Sequence, residues 1–368
     1  MGEIDLVRAL GLARIRSAVV VDPGNPARYS RSTAHVLPYF DSRTEPEARV
    51  AAVVAYAERQ SEKPVLFYDN DWSLLLVSRH RARLASALHF VVPEPDLVEA
   101  LVDKERFQEL SERLSLPVPR ARRVRLSETV EVDLRYPLVV KPLTRDHATW
   151  RPVARAKAIR VGDPAALREL GRRLAGSALD VLLQEEVPGP ESRIESYHVY
   201  ADADGAIAGE FTGRKLRTYP QGFGYTSALE ITSARDVADL GRELTRRLGL
   251  RGVAKLDFKR DDEGRLHLLE VNPRFNLWHH PGALAGVNLP ALVYADLTGG
   301  ARPGVRPARA GVRWCSLAHD LQAARLEGWS VTRWLRWVAR CEAKSGLALA
   351  DPLPLARGLA WRVAHRRD

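Results

Sequence analysis

Glu270-Val271-Asn272-Pro273-Arg274 is the stretch on which the reading of this chain turns. It closes an apolar run, Leu266 to Leu269, with an acid and an amide at alternate positions. Alternate residues of a strand point the same way, so Glu270 and Asn272 share one face. Upstream, Val253-Ala254-Lys255-Leu256-Asp257-Phe258 puts Lys255 and Asp257 on one face of a second strand. Between the two lies Asp261-Asp262-Glu263-Gly264, the turn chemistry of a hairpin. Pairing the strands across that turn brings Asp257, Glu270 and Asn272 together. Two carboxylates and an amide oxygen suit magnesium, which takes one or two carboxylates and completes its shell with water and phosphate oxygens. A solvated hairpin face is the plainer reading. It accounts for Asp257, but not for an acid and an amide set inside an apolar strand that runs into Pro-Arg.

Working outward, the chain changes character twice. Over the first 95 residues short apolar runs end in turns: Ala18 to Val21 before Asp22-Pro23-Gly24, Pro64 to Tyr68 before Asp69-Asn70-Asp71, and His89 to Val92. A helical spacing from Pro46 to Glu58 sits among them, which predicts a small parallel α/β layer. Ligands of such sheets sit at the carboxyl ends of strands, where both acidic turns fall. Two short helices follow between Pro95 and Pro117, the second capped by Asp103. Strands are expected at 136–142, 158–161 and 181–185, a helix at 164–175, a hairpin at 198–211 and a helix at 237–248. Strong turns between alternating strands make this an α+β region with antiparallel sheet.

Five segments in order carry a family resemblance: Val102-Asp103-Lys104, Val139-Val140-Lys141-Pro142, Leu183-Gln184-Glu185-Glu186-Val187-Pro188-Gly189, Gly213-Arg214-Lys215-Leu216-Arg217, and Glu270 to Arg274. Together they resemble the ATP-grasp superfamily from about residue 95 to 300, with a weaker match to the Rossmann-like pre-ATP-grasp domain over the first 95. The resemblance implies an ATP-grasp fold, with two α+β subdomains clamping ATP and a hinge near 184–189. It implies that Lys104 and Lys141 hold phosphates, that Gln184, Glu185 and Val187 read adenine, and that Glu191 or Ser192 meets the ribose. Asp257, Glu270 and Asn272 would hold Mg²⁺, with Mn²⁺ as a substitute. Lys215 resembles the cation near the γ-phosphate, and Arg217 either shares that task or is a solvated strand residue. Arg274 resembles the arginine that steadies an acyl phosphate. Two features depart from the pattern: residues 143–157 contain no glycine, leaving Arg145, His147 and Arg151 to clamp phosphate by charge, and Asp257 stands where many relatives use Glu.

The text from Glu195 to Thr226 looks like the carboxylate–amine ligase branch that includes D-aspartate ligase-like proteins. That branch implies small-molecule carboxylate and amine substrates and release of ADP and phosphate. An ATP-grasp enzyme using another nucleophile, or stopping at an acyl or carboxy phosphate, stays open, as does a non-catalytic ATP-binding scaffold. For a second substrate, Asp69 and Asp71 are candidates to meet an ammonium group, or to form an Asx turn. Arg28, Arg31 and Ser32 are candidates for a carboxylate, and Asn276, Trp278, His279 and His280 for a pocket lining.

Composition narrows the class. With 45% hydrophobic and 28% charged residues the 368-residue chain is globular, and its length predicts two or three domains, taken as 1–95, 96–300 and 301–368. No apolar run is long enough for a membrane span, no leader pattern opens the sequence, and two cysteines, Cys315 and Cys341, suit a reducing cytoplasm. The formal charge of +10 is concentrated late: Ala301 to Asp368 holds 13 Lys and Arg against 5 Asp and Glu. No RNA-binding aromatic motif or zinc-finger spacing accompanies it, so nucleic acid is not expected. Ser330 to Arg340 predicts a basic helix with Trp334, Trp337 and Val338 on one side. That helix packs on the core with its arginine stems snorkelling, or makes a peripheral membrane contact. The oligomeric state, a homodimer included, stays open.

Overall fold

The computed structural model describes residues 2–126, 131–143, 150, 158–174, 179–304 and 306–364. Three sheets organise it. Strands β1 (Ser17–Val19) and β2 (Thr33–Val36) pair in parallel, and a single parallel bridge joins Val65 to His89. The expected parallel layer therefore exists in reduced form. Its core, Val50, Tyr68, Leu74, Leu84 and Val98, lies between helices rather than on a broad sheet.

A four-stranded antiparallel sheet runs in the order β3-β6-β4-β5, from Ala121–Arg125, Asp180–Glu185, Leu138–Pro142 and Ile159–Val161. Helix Pro164–Leu174 turns Leu167, Leu170 and Leu174 onto it, joining Leu138, Val140, Val181 and Leu183 in one core. Asp103 caps helix Lys104–Arg113 by accepting from the amides of Glu105 and Arg106.

The largest sheet has seven strands, ordered β11-β10-β7-β8-β9-β12-β13. They are β7 (Ile194–Ala201), β8 (Ile207–Tyr219), β9 (Tyr225–Thr232), β10 (Gly252–Arg260), β11 (Leu266–Asn272), β12 (Arg313–Ser316) and β13 (Ala343–Ser345). The C-terminal segment is thus more than a helical extension, since it adds two strands to this sheet. Helix Arg235–Arg247 covers one face, burying Val237 and Leu244 against Tyr197, Leu256 and Phe258. The other face meets Phe275, Trp278 and Leu292, with Leu6 and Leu10 from the first helix, Glu3–Leu12.

Two bulges decide which side chains reach which face. In β10–β11, Lys255 lies opposite Asn272 and Asp257 opposite Glu270, but Phe258 lies opposite Leu268, so Leu269 is an extra residue. The extra residue resets the alternation. Leu268 and Val271, three apart, both enter the core with Phe258, while Glu270 and Asn272 keep the opposite face. In β8–β9, Lys215 pairs with Leu229 and Arg217 with Ala228, leaving Leu216 extra. Leu229 and Ala228 are successive and point to opposite faces, so Lys215 and Arg217 do too.

Candidate functional site

The face of the large sheet away from helix Arg235–Arg247 gathers charge at one end. Lys215 on β8, Lys255 and Asp257 on β10, Ser196 on β7, and Glu270 and Asn272 on β11 converge there. Asp257 is 1% exposed and accepts at Oδ2 from Lys255 Nζ at 2.7 Å and Lys215 Nζ at 3.2 Å. Its Oδ1 accepts from the Ser196 hydroxyl at 2.5 Å. Burial alone would raise the Asp257 pKa, but Lys215, Lys255 and the two donated hydrogen bonds hold it far below the usual carboxylate range. Burial also works against the charge of Lys215, and Asp257 and Glu270 outweigh it, leaving that pKa raised. Lys255 Nζ stands 3.9 Å from Glu270 Oε1, between the two carboxylates. Lys255 and Ser196 were not singled out as site residues from sequence. The alternation that placed Lys255 beside Asp257 was the available signal, whereas Ser196 comes from a neighbouring strand and leaves none.

The smaller sheet supplies the facing groups. Lys141 on β4 donates to Gln184 Oε1 on β6 at 2.7 Å. Burial lowers its pKa, and Glu270 of the large sheet is near enough to oppose that shift. Lys104 reaches the same strand end, 3.4 Å from the Leu143 carbonyl. Val187 is buried. Glu185 accepts from the Arg135 amide at 3.0 Å and lies 3.6 Å from Arg120, so its side chain is turned to the β3–β4 side. Glu191 and Ser192 separate. Glu191 accepts from Thr218 Oγ1 and the Phe223 amide and contributes to the raised pKa of Lys215. Ser192 instead lines a cavity of about 510 Å³ with Arg193, Arg214 and Arg260. Arg214 follows Gly213 on β8 and faces away from Lys215, which removes Ser192 from the site. Arg145, His147 and Arg151 lie outside the described residues.

Arg274 is fixed at the junction with the first domain. It donates to Asp71 Oδ1 at 2.5 Å, to the Asp69 carbonyl at 3.2 Å and to Asn272 Oδ1 at 3.2 Å. Asp71 is therefore engaged by Arg274 rather than open to an ammonium group, and Asn70 caps helix Asp71–Arg79 through the Ser73 amide. Asp69 lines a neighbouring cavity of about 210 Å³ with Glu3, Asp22, Asp41, Arg49 and Trp72. Burial, with Glu3 adding to it, pushes Asp69 up to about 6 against the opposing pull of Arg274.

Further expectations change with the packing. Arg217 is a structural arginine: Asp320 takes both its Nε and Nη2, at 2.7 and 2.9 Å, and the rings of Trp329 and Trp337 lie 4.5 and 4.3 Å from its guanidinium carbon. The bulge at Leu216 is the physical reason, because it sends Arg217 to the face opposite Lys215. In helix Val331–Ala339 Trp334 is buried, its indole N–H donating to Asp320 at 2.8 Å, so the tryptophan side is spent on the core and not on a membrane. No helix among the described residues is long and apolar enough to cross a membrane. The Asn276 to His280 run packs as core. Trp278 lies against Gly213, where an added Cβ would meet its ring at 2.4 Å, and burial takes His279 down to about 3. Arg28 donates to the Val21 carbonyl, and the Ser30 hydroxyl and the Arg31 backbone amide donate to the chain's own Asp351.

The donor set fits a hard divalent cation that arrives with phosphates. Asp257 and Glu270 oppose each other across β10–β11, and the buried Asn272 Nδ2 has no acceptor, which leaves a place beside the two carboxylates for a phosphate or water oxygen. Among the described residues no group of three or more His, Cys, Asp or Glu forms a metal cage, so other oxygens must complete such a shell.

Comparison with known proteins gives consistent matches. Residues 179–319 match a family model described as ATP-grasp in the biosynthetic pathway with Ter operon. The chain is 25% identical over 301 residues to D-aspartate ligase of Enterococcus faecium (strain Aus0004), covering 77% of this chain and 70% of the relative. Among solved structures it resembles N5-carboxyaminoimidazole synthetase from Staphylococcus aureus, with a TM-score of 0.64 and 12% identity over 89% of this chain and 83% of that one. A second structure of that enzyme holds ADP. L-amino acid ligase from Bacillus licheniformis aligns with a TM-score of 0.59 and 16% identity over 82% and 74% of the two chains.

Proposed function

We propose that this chain, whose residues 179–319 match an ATP-grasp family model, is an ADP-forming ligase that joins a carboxylate to an amine. The observation that carries the reading is the convergence of Lys215, Asp257, Glu270, Asn272 and Arg274 at one end of the large sheet, with Lys141 and Gln184 facing them. Phosphoryl transfer asks chiefly for fixed charge around a migrating phosphoryl group, and this cluster has that chemistry. The similarity to D-aspartate ligase and L-amino acid ligase supports a carboxylate–amine pair of substrates.

In this reading ATP lies between the two sheets. Gln184, Val187 and the backbone of Glu185 meet adenine, Glu191 meets the ribose, and Lys104 and Lys141 neutralise the inner phosphates. Asp257, Glu270 and Asn272 would hold magnesium, which when bound would shield charge on the phosphate oxygens. A carboxylate oxygen attacks the terminal phosphorus and the bond to ADP breaks, with Lys215 balancing the charge that develops. Arg274 then holds the acyl phosphate while the amine nitrogen attacks its carbonyl carbon. The nitrogen gives up a proton to solvent and phosphate departs. The cavity beside Asp69, whose carbonyl accepts from Arg274, offers room for the amine.

An ATP-dependent coupling screen over carboxylates and amines, read by mass spectrometry, tests this. A ligated mass with stoichiometric ADP and phosphate is expected. AMP with pyrophosphate would sink the acyl-phosphate route, and tight nucleotide binding without any product would leave a scaffold.

A further inference from the structure

Lys255 has no task in the mechanism above, yet it is the group closest to both carboxylates of the magnesium cradle. It lies two residues before Asp257 on the same strand and face, directly opposite Asn272. Its ammonium sits 2.7 Å from Asp257 Oδ2 and 3.9 Å from Glu270 Oε1, with its side chain 12% exposed. Lys215 shares the same Asp257 oxygen at 3.2 Å, and Ser196 takes the other. Both oxygens of Asp257 therefore already accept from donors of the chain.

The charge count follows directly. Asp257 and Glu270 face Lys215 and Lys255, with Lys141 in reach of Glu270 and Glu191 in reach of Lys215, so positive and negative charges balance and a bare divalent cation entering here gains no net attraction. It would also have to displace an ammonium from a buried oxygen, and magnesium sheds its water reluctantly. A nucleotide changes both conditions. Its phosphate oxygens offer the lysines new anionic partners, and a cation already bound to those phosphates arrives with a negative escort. An ammonium on a flexible four-carbon stem can move between such partners, which a fixed guanidinium fork does less readily.

We propose that Lys255 is an internal counter-ion that keeps the Asp257–Glu270 pair closed to free divalent cations and releases it only when nucleotide phosphates draw the ammonium away. Metal therefore enters with the nucleotide and not before it. This inference rests on the ligase reading of the same site, and its test separates the two.

The measurement is Mn²⁺ binding to the full chain followed by electron paramagnetic resonance of the free ion. Without nucleotide, the wild type is expected to leave Mn²⁺ free up to about millimolar concentration, a hard cation facing a site with no net charge. Lys255→Met should bind Mn²⁺ at least about tenfold tighter, the change expected from removing one adjacent positive charge. The gain should disappear in Lys255→Met with Glu270→Gln, which locates it in the pair. With a non-hydrolysable ATP analogue, wild type and Lys255→Met should both retain Mn²⁺ with the protein on ultrafiltration, beyond a protein-free mixture of Mn²⁺ and analogue. Tight Mn²⁺ binding by nucleotide-free wild type, or no gain in Lys255→Met, overturns the proposal. Absence of analogue-dependent Mn²⁺ binding in the wild type overturns the nucleotide reading and the release by phosphates with it, and the comparison of nucleotide-free proteins then decides whether Lys255 closes the pair. If Lys255→Met does not fold, Lys255→Gln, which keeps a polar side chain, is judged by the same rule.

Discussion

Lys215 and Arg217 stand two residues apart on one strand and belong to different machines. On one face Lys215 joins Lys255, Asp257 and Glu270 in a cluster whose outer carboxylate is 48% exposed and whose cations have more than one anion within reach. On the other, Arg217 is 4% exposed, doubly bonded to Asp320 and sandwiched by two indoles, while Ser227 and Trp334 also donate to that carboxylate. The contrast teaches how burial and saturation sort ion pairs by use. A pair with every donor and acceptor committed is a rivet, whereas a pair with shared, partly wet partners can exchange them.

That distinction is broken most severely at the rivet. Asp320→Ala leaves a buried guanidinium without its anion, and a loss of about 3–5 kcal/mol in unfolding free energy is expected from denaturant melts. A loss below about 1 kcal/mol would mean that Arg217 finds water or a new partner, and that the two clusters are alike. The exchangeable cluster should fail differently. Arg274→Ala should keep nucleotide affinity while amide formation falls by about 10²–10³-fold, as for removal of one positioned donor to a developing charge. Glu270→Gln should lower both metal-dependent nucleotide binding and turnover, by isothermal titration and coupled ADP release. Equal loss of nucleotide affinity in the two variants would erase the division of labour between Glu270 and Arg274.

Smaller effects sharpen the picture. Gly213→Ala puts a methyl group into the Trp278 ring and should cost about 1–3 kcal/mol by overpacking, measured by thermal unfolding. Asp69→Asn should show only in the pH dependence. The folded carboxyl titrates near 6 and an unfolded aspartate near about 3.9, so wild-type stability from this group is complete below about 4 and is lost as pH rises through about 6. The variant should therefore melt higher than wild type at pH about 7.5 and alongside it at pH about 4.

Much of this was legible in the chain. The β10–β11 hairpin announced itself because alternation and turn residues agreed, and the pairing of Asp257 with Glu270 followed. Helix Lys104–Arg113 was readable from Asp103, and helix Pro164–Leu174 from its leucine spacing. The fate of Arg217 was not readable, since a one-residue bulge leaves no mark in composition yet reverses the face of whatever follows. Ala121–Arg125 escaped notice because an edge strand of Ala-Arg-Arg-Val-Arg carries almost no apolar alternation. Strands β12 and β13 were hidden for another reason, being short and held by partners far away in sequence. The Asn276 to His280 run looked polar, but the Trp278 ring packs in the core beside His198 and the His279 ring beside Phe275.

Asp351 has a consequence for how the molecule is made. It receives Arg8, Ser30 and the Arg31 amide across separations of 343, 321 and 320 residues. A ribosome adding about 5–20 residues per second would deliver those three groups tens of seconds before their acceptor emerges. For that interval the first layer must hold together without Asp351, and its hydrogen bonds to that carboxylate close only after residue 351 has been made.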